Sequence, residues 1–251
     1  MPVWMALTGA LPAIALMTIV DLADAKRPEP HWQVRKVALW GGLAVLPCLL
    51  AQRWLAQAVV LEGAGGALFE GFVSAALLEE AAKALVLWLV VWRHPAFDER
   101  LDGIVYGTRA GLGFALVENV LALWGSTSAV GFVGAYVLRA LFAVPCHAIA
   151  AGFMGDLAAR RRFDGAGPGL AGGIAVAVLV HGAYDAALYL AAVPGVALGV
   201  QAVAMLVPLS VVVGGFLLLR HRALLALTRD DADHRHAGRR PQRSEAGYVL
   251  R

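Results

Sequence analysis

The stretch ALGVQAVAMLVPLSVVVGGFLLL, residues 197–219, carries no charged side chain. It exceeds the roughly 20 apolar residues that a helix needs to cross the hydrocarbon core of a bilayer. Working back along the chain, further apolar runs fall at 3–20, 37–60, 69–92, 104–124, 129–155 and 170–192. Composition agrees with them: 60% of the 251 residues are hydrophobic and only 16% are charged. A soluble domain has close to a quarter of its residues charged, so that class is excluded. Backbone groups facing lipid must be paired within their own segment unless a barrel closes, and no alternating barrel pattern is present. The expected fold is therefore all-α, a polytopic membrane helix bundle of about seven transmembrane helices over residues 1–220.

The connections carry ordinary loop signals: Lys26-Arg27-Pro28-Glu29-Pro30, Arg93-His94-Pro95, and Asp164-Gly165-Ala166-Gly167-Pro168-Gly169. Positive charge gathers in alternate connections. Segment 21–36 holds Lys26, Arg27, Arg35 and Lys36, segment 93–103 holds Arg93 and Arg100, and segment 156–169 holds Arg160, Arg161 and Arg162. The intervening connections hold only Arg53. The positive-inside bias then puts the N-terminus outside and the C-terminus in the cytoplasm, which needs an odd number of spans. Ala23-Asp24-Ala25 resembles a signal-peptide cleavage site, but no Lys or Arg precedes the first apolar run, so the first span is expected to be retained. From residue 221 onward charged residues crowd the chain, and 221–251 reads as a polar, disordered cytoplasmic tail. The slight excess of Lys and Arg, 21 against 18 acids, gives no reason to expect nucleic-acid binding. Cys48 and Cys146 lie in apolar stretches and imply no disulfide.

Ionisable residues inside the spans are the informative ones. Each charge at the centre of a span costs about 2.5–3.5 kcal/mol on insertion scales. Such groups face the bundle interior and mark function by default. Within the runs lie Glu70, Glu79, Glu80, Lys83, Arg109, Glu118, Asn119, Arg139, His147, His181 and Asp185. Glu70 sits at a helix N-terminal end, where a carboxylate is tolerated, and Arg109 is near enough to one end to snorkel. Glu79, Glu80, His147, His181 and Asp185 are expected at similar depth, within roughly 10 Å at 1.5 Å rise per residue. Lys83 is one turn from both Glu79 and Glu80 and can neutralise either. Adjacent side chains diverge by about 100°, so the two glutamates cannot share one task. Asp185, one turn past His181, can fix that imidazole's tautomer. Gly103, Gly107 and Gly111 form a small-residue ridge that permits close helix approach.

The blocks Leu78-Glu79-Glu80-Ala81-Ala82-Lys83, Phe114-Ala115-Leu116-Val117-Glu118-Asn119, the surroundings of His147, and His181-Gly182-Ala183-Tyr184-Asp185 resemble the PrsW family of intramembrane proteases. That family lies within the superfamily of CAAX prenyl proteases and bacteriocin-processing enzymes. The resemblance covers about residues 69–190. It implies a protease of the bacterial cell membrane that cuts a membrane-embedded protein, in the family's usual role an anti-sigma factor in regulated proteolysis. By resemblance Glu79 is the general base and Glu80 pairs with Lys83 or an arginine. His147 and His181 stabilise the oxyanion or ligate a metal, and Asp185 orients His181. Lys83, Glu118, Asn119 and Arg139 support the site, Arg139 as partner to a buried acid.

Glu79, His147 and His181 match the ligand count of a catalytic zinc site. No chelating pair such as His-x-x-x-His lies on one helix, which favours a site with no obligatory metal. Two other functions compete. Buried Glu, His and Asp also build the relays of proton- or ion-coupled transporters, although no internal repeat is evident. A non-catalytic immunity or sensor protein on the same scaffold is the third.

Overall fold

The computed structural model describes residues 3–239. The described residues form seven helical runs and no strand. These are α1 (Val3–Ala23), α2 (His31–Ala58, with one non-helical turn at Ala44), α3 (63–91), α4 (Arg100–Trp124), α5 (Ala129–Phe163), α6 (Gly169–Ala192) and α7 (Leu198–Arg239). Five of them, all but α3 and α4, are long and apolar enough to cross a membrane. The other two are long enough but carry the charges that matter most, Glu79, Glu80 and Lys83 on α3 and Arg109 and Glu118 on α4.

α4 is the central element. It packs along α5, α2 and α1, and is almost continuously buried from Asp102 to Ala115. A Cβ on Gly103, Gly107 or Gly111 would overlap the backbone oxygens of Gly155, Ala151 and His147 respectively. The glycine ridge therefore faces α5 and lets the two backbones touch, as membrane helices do where small residues line a contact. α6 packs against α3 and α5, with Gly71 close to the Ala186 backbone and Gly182 under the Phe72 ring. Large apolar side chains such as Leu50, Trp54 and Leu89 point outward. That is the inverse of a soluble core and what lipid contact requires.

One end of the bundle is tied by charge. Lys26 and Arg27 reach Asp231 at 2.5 and 2.7 Å, Arg27 reaches Glu99 at 2.6 Å, and Arg100 reaches Asp164 at 2.6 Å and Asp230 at 2.8 Å. The α1–α2, α3–α4 and α5–α6 connections and the end of α7 thus meet at the same end. α7 runs unbroken through 221 to Arg239, so residues 221–239 are helical where a disordered tail was expected. Their acids have partners on loops far away in sequence, which composition alone does not reveal. Residues 240–251 of that expected tail lie outside the described residues. Arg109 does not snorkel alone: its side chain is buried and pairs with Asp21 of α1.

Candidate active site

Four helices bring their polar residues to one buried cluster. On α3 Glu79 and Glu80 diverge as helical geometry demands. Glu80 and Lys83 are wholly buried and pair at 2.6 Å. Lys83 Nζ also donates to His147 Nδ1 at 2.8 Å and lies 4.4 Å from the centre of the Phe114 ring. Because an ammonium can only donate, His147 Nδ1 is the acceptor and Nε2 carries the proton that Glu118 receives at 2.7 Å. Arg139 lies 3.1 Å from Glu118 and donates to Asn119, whose amide in turn donates to the Gly9 carbonyl of α1 at 2.9 Å. His181 has a carboxylate at each ring nitrogen, Glu80 at Nδ1 (2.8 Å) and Asp185 at Nε2 (3.1 Å). The two imidazoles meet edge to face with centroids 4.7 Å apart.

Glu79 has different surroundings. Its Oε1 accepts a hydrogen bond from Gln52 Nε2 of α2 at 3.0 Å. Its Oε2 is buried with no hydrogen-bond partner. That oxygen lies 3.8 Å from Lys83 Nζ, 4.0 Å from His147 Nδ1 and 3.9 Å from His181 Nε2. Glu79, His147 and His181 can each offer one ligand atom with all three within 4.8 Å of one another. A tetrahedral zinc site with bonds near 2.1 Å has ligand atoms about 3.4 Å apart. To close on a cation the set would draw together by about half an ångström between Glu79 Oε2 and each imidazole and by up to about 1.4 Å at its widest, with Lys83 leaving His147 Nδ1. The donor types, one carboxylate and two imidazoles, fit one. The three ligands come from three helices, which is why the lack of a chelating pair on any single helix was no guide.

A cavity of about 770 Å³ opens onto the cluster. Glu79, Glu118, Arg139, His147, His181 and Asp185 line it, whereas Glu80 and Lys83 do not. Apolar residues such as Leu49, Phe142 and Met205 complete its walls. Every residue singled out in the sequence motifs is therefore in or directly behind one site. Nothing in the motifs points to Gln52, a polar residue near the end of an apolar run. Wide π-helical turns flank the key residues: Glu70–Leu77 and Leu87–Val91 bracket the glutamates, and Arg139–Ala143 precedes His147. Such turns recur at functional sites because they re-aim side chains without breaking the helix.

Residues 29–213 match the sequence profile described as PrsW family intramembrane metalloprotease. The chain belongs to the PrsW family. It is 37% identical to "Protease PrsW" of Bacillus subtilis (strain 168) over 180 residues, 70% of this chain and 79% of that protein. It is 36% identical to the same-named protein of Geobacillus kaustophilus over 155 residues, 62% and 65% of the two chains. With that of Oceanobacillus iheyensis it shares 38% identity over 148 residues, 59% and 64%. No solved structure matches the chain. The protein is thus a multi-pass membrane protease. The transporter and sensor readings are not favoured. The family's description as metalloproteases is compatible with the cation fit of Glu79, His147 and His181.

Proposed function

We propose that the protein cleaves a membrane-embedded protein substrate at the Glu79 cluster, in the inner membrane of a bacterium, with the charged end of the bundle in the cytoplasm and all seven helices spanning. An anti-sigma factor is the substrate class that the family resemblance implies. The observation that carries the reading is the free Oε2 of Glu79, a buried carboxylate oxygen without a partner at the wall of the cavity. Leaving such an acceptor unmade costs about 1–3 kcal/mol or more, a cost that a bound water or cation removes.

Amide hydrolysis needs an activated water, a stabilised oxyanion and a proton for the leaving amine. Glu79 Oε2 takes the proton of the attacking water and returns it to the leaving nitrogen. Glu80 and Lys83 stand behind the cavity and hold the two imidazoles in register, Glu80 through His181 Nδ1 and Lys83 through His147 Nδ1. Asp185 shares the cavity-facing nitrogen of His181 rather than its rear one, so Glu80 is the residue that sets the His181 ring from behind. Glu118, on the cavity wall, takes Nε2 of His147, with Arg139 balancing its charge. Glu79, His147 and His181 would hold zinc, with Glu79 then a ligand in place of the base, and the metal when bound would supply the activation of water and Lewis-acid polarisation of the scissile carbonyl.

The test is cleavage of candidate single-span membrane proteins by purified protein. Glu79→Gln keeps the shape but removes the proton acceptor and should lower the rate by at least about 10²–10⁴-fold, the usual contribution of a general base. Chelation should abolish activity and zinc should restore it. Near-wild-type cleavage by Glu79→Gln would sink the assignment of Glu79, and full activity in metal-free protein would sink the zinc.

A further inference from the structure

We infer that Gln52 of α2 is a positioning residue for Glu79: its amide holds Oε1 so that Oε2 is presented to the cavity and to the two imidazoles. The inference rests on the proposed role of Glu79 and assigns a task to a helix that carries none of the family blocks.

The two oxygens of a carboxylate are interchangeable by rotation about the terminal bond, a broad two-fold torsion with no strong preference of its own. Which oxygen faces the cavity is therefore decided by partners. Lys83 Nζ lies 3.8 Å from Oε2 and is the competing donor, already bound to Glu80 and to His147. The Gln52 N–H at 3.0 Å from Oε1 sets the carboxylate against that pull and leaves Oε2 as the oxygen without a partner. A primary amide is suited to the task because it donates without bringing a charge. A lysine or arginine at 52 would add a full ion pair to Glu79 and compete with a water or metal for it.

The reach of Gln52 is itself fixed one turn earlier. Cys48, at i−4, is buried against Phe114 and Val45, and its thiol lies 3.6 Å from the carbonyl of Leu78, the residue before Glu79. Side chains at i and i+4 share a helix face, so the contact that seats α2 on α3 also aims Gln52 at Glu79. Gln52 is half-buried and lines the cavity, which leaves one rival role, direct contact with substrate.

Kinetics and metal binding separate these roles. Gln52→Met keeps length and loses the donor, and Gln52→Glu is isosteric and turns the donor into an acceptor. Residues that orient a metal ligand typically contribute 10–100-fold in affinity or activity. Both variants should lose kcat by about that factor with KM within about two-fold of wild type, since only the chemical step depends on where Oε2 points. The affinity of Gln52→Met for zinc alone, read by competition with a chromophoric chelator, should fall by a similar factor, whereas Gln52→Glu, which adds a carboxylate beside the site, is judged on kcat and KM. A raised KM with kcat intact would make Gln52 a substrate contact and overturn the inference, as would wild-type kcat in both variants. If Gln52→Met fails to fold, Gln52→Glu, which matches wild type in shape, carries the comparison alone. Glu79→Gln measured alongside keeps the two ideas apart. Cleavage and zinc binding by Glu79→Gln at wild-type levels would remove the Glu79 assignment itself. An inactive Glu79→Gln beside a wild-type-like Gln52→Glu would remove only the role of Gln52.

Discussion

Glu79 and Glu80 are adjacent in sequence and opposite in circumstance. Glu80 is wholly buried, bonded to Lys83 and His181, and absent from the cavity wall, while Glu79 lines the wall with one oxygen unused. The divergence was legible because neighbouring side chains on a helix point about 100° apart. Which glutamate lines the cavity was not, since it depends on where α2 and α6 stand. Gln52 was invisible for the same reason: one glutamine in an apolar run acquires meaning only from the carboxylate opposite it. A second polar residue hidden from sequence reading is Asp24, in the connection after α1. Burial pushes its carboxyl up from 3.8 to about 6, against a hydrogen bond it accepts from the Glu29 backbone. The folded group therefore holds its proton more tightly than the unfolded one. Its contribution to stability is fully present below pH 3.8 and is lost as pH rises through about 6. Asp24→Asn, neutral throughout, should unfold at a higher temperature than wild type at pH 7.5 in detergent, and at the same temperature near pH 3.5. The gain is at most about 3 kcal/mol, less to the extent that water screens the charge. An equal gain at both pH values would show that the carboxyl is not its source.

Among the elements, the contact between α4 and α5 does most to place the site. Gly111 lies directly against the backbone oxygen of His147, so the helix that carries Glu118 and Asn119 also sets the height of His147. The four-residue glycine spacing made a close helix approach legible, but not its partner or its consequence for the placing of His147. The π-helical turns beside Glu79 and His147 left no trace in the apolar pattern, which reads the same through a wide turn as through a regular one. The helical end of α7 was misread as disordered because its charges look solvated until Arg27, Arg100 and Asp164 are brought to meet them. Gly111→Ala tests the α4–α5 contact. The new Cβ must push against backbone rather than a mobile side chain, an overpacking cost of typically about 1–3 kcal/mol. The resulting shift of His147 should cost on the order of 10²-fold in kcat, as ångström misplacements in active sites do. Gly134, where a Cβ would meet nothing, is the matched control. Gly134→Ala should cleave normally, and equal activity of the two variants would show that the close approach does not place His147.

At the scale of the whole molecule, the charged end decides how the chain is threaded. Residues 26–27, 99–100, 164 and 230–231 are joined by direct ion pairs, so the chain returns to one end after each pair of helices. Between 27 and 99 the chain builds α2 and α3, and between 100 and 164 it builds α4 and α5. On the proposal that α2 and α5 span, as their length and apolar character allow, α3 and α4 recross the same thickness for the ends to meet. Their charges do not prevent this, because they pair inside the bundle rather than against lipid. Seven apolar runs were legible from hydropathy, whereas this closure rests on partners as far apart as Lys26 and Asp231. The positive charges then set the side. Arg27, Arg35, Lys36, Arg93, Arg100 and Arg160–Arg162 all belong to the connections at the ion-paired end or to the helix ends beside them, which supports the proposal that this end is cytoplasmic. Single cysteines introduced in a Cys48→Ala, Cys146→Ala background near residues 64, 127 and 195 should react with an impermeant thiol reagent added to intact cells. Those near 26, 98, 161 and 235 should react only after the cells are opened. Both native cysteines are buried, so their removal isolates the signal, and retained cleavage of substrate would verify that the background folds. Labelling of position 98 from outside, with position 26 protected, would mean that α2 and α3 do not form a complete return crossing. The seven-span reading would then fail, because only an even number of crossings between those two positions is compatible with the Arg27–Glu99 pair.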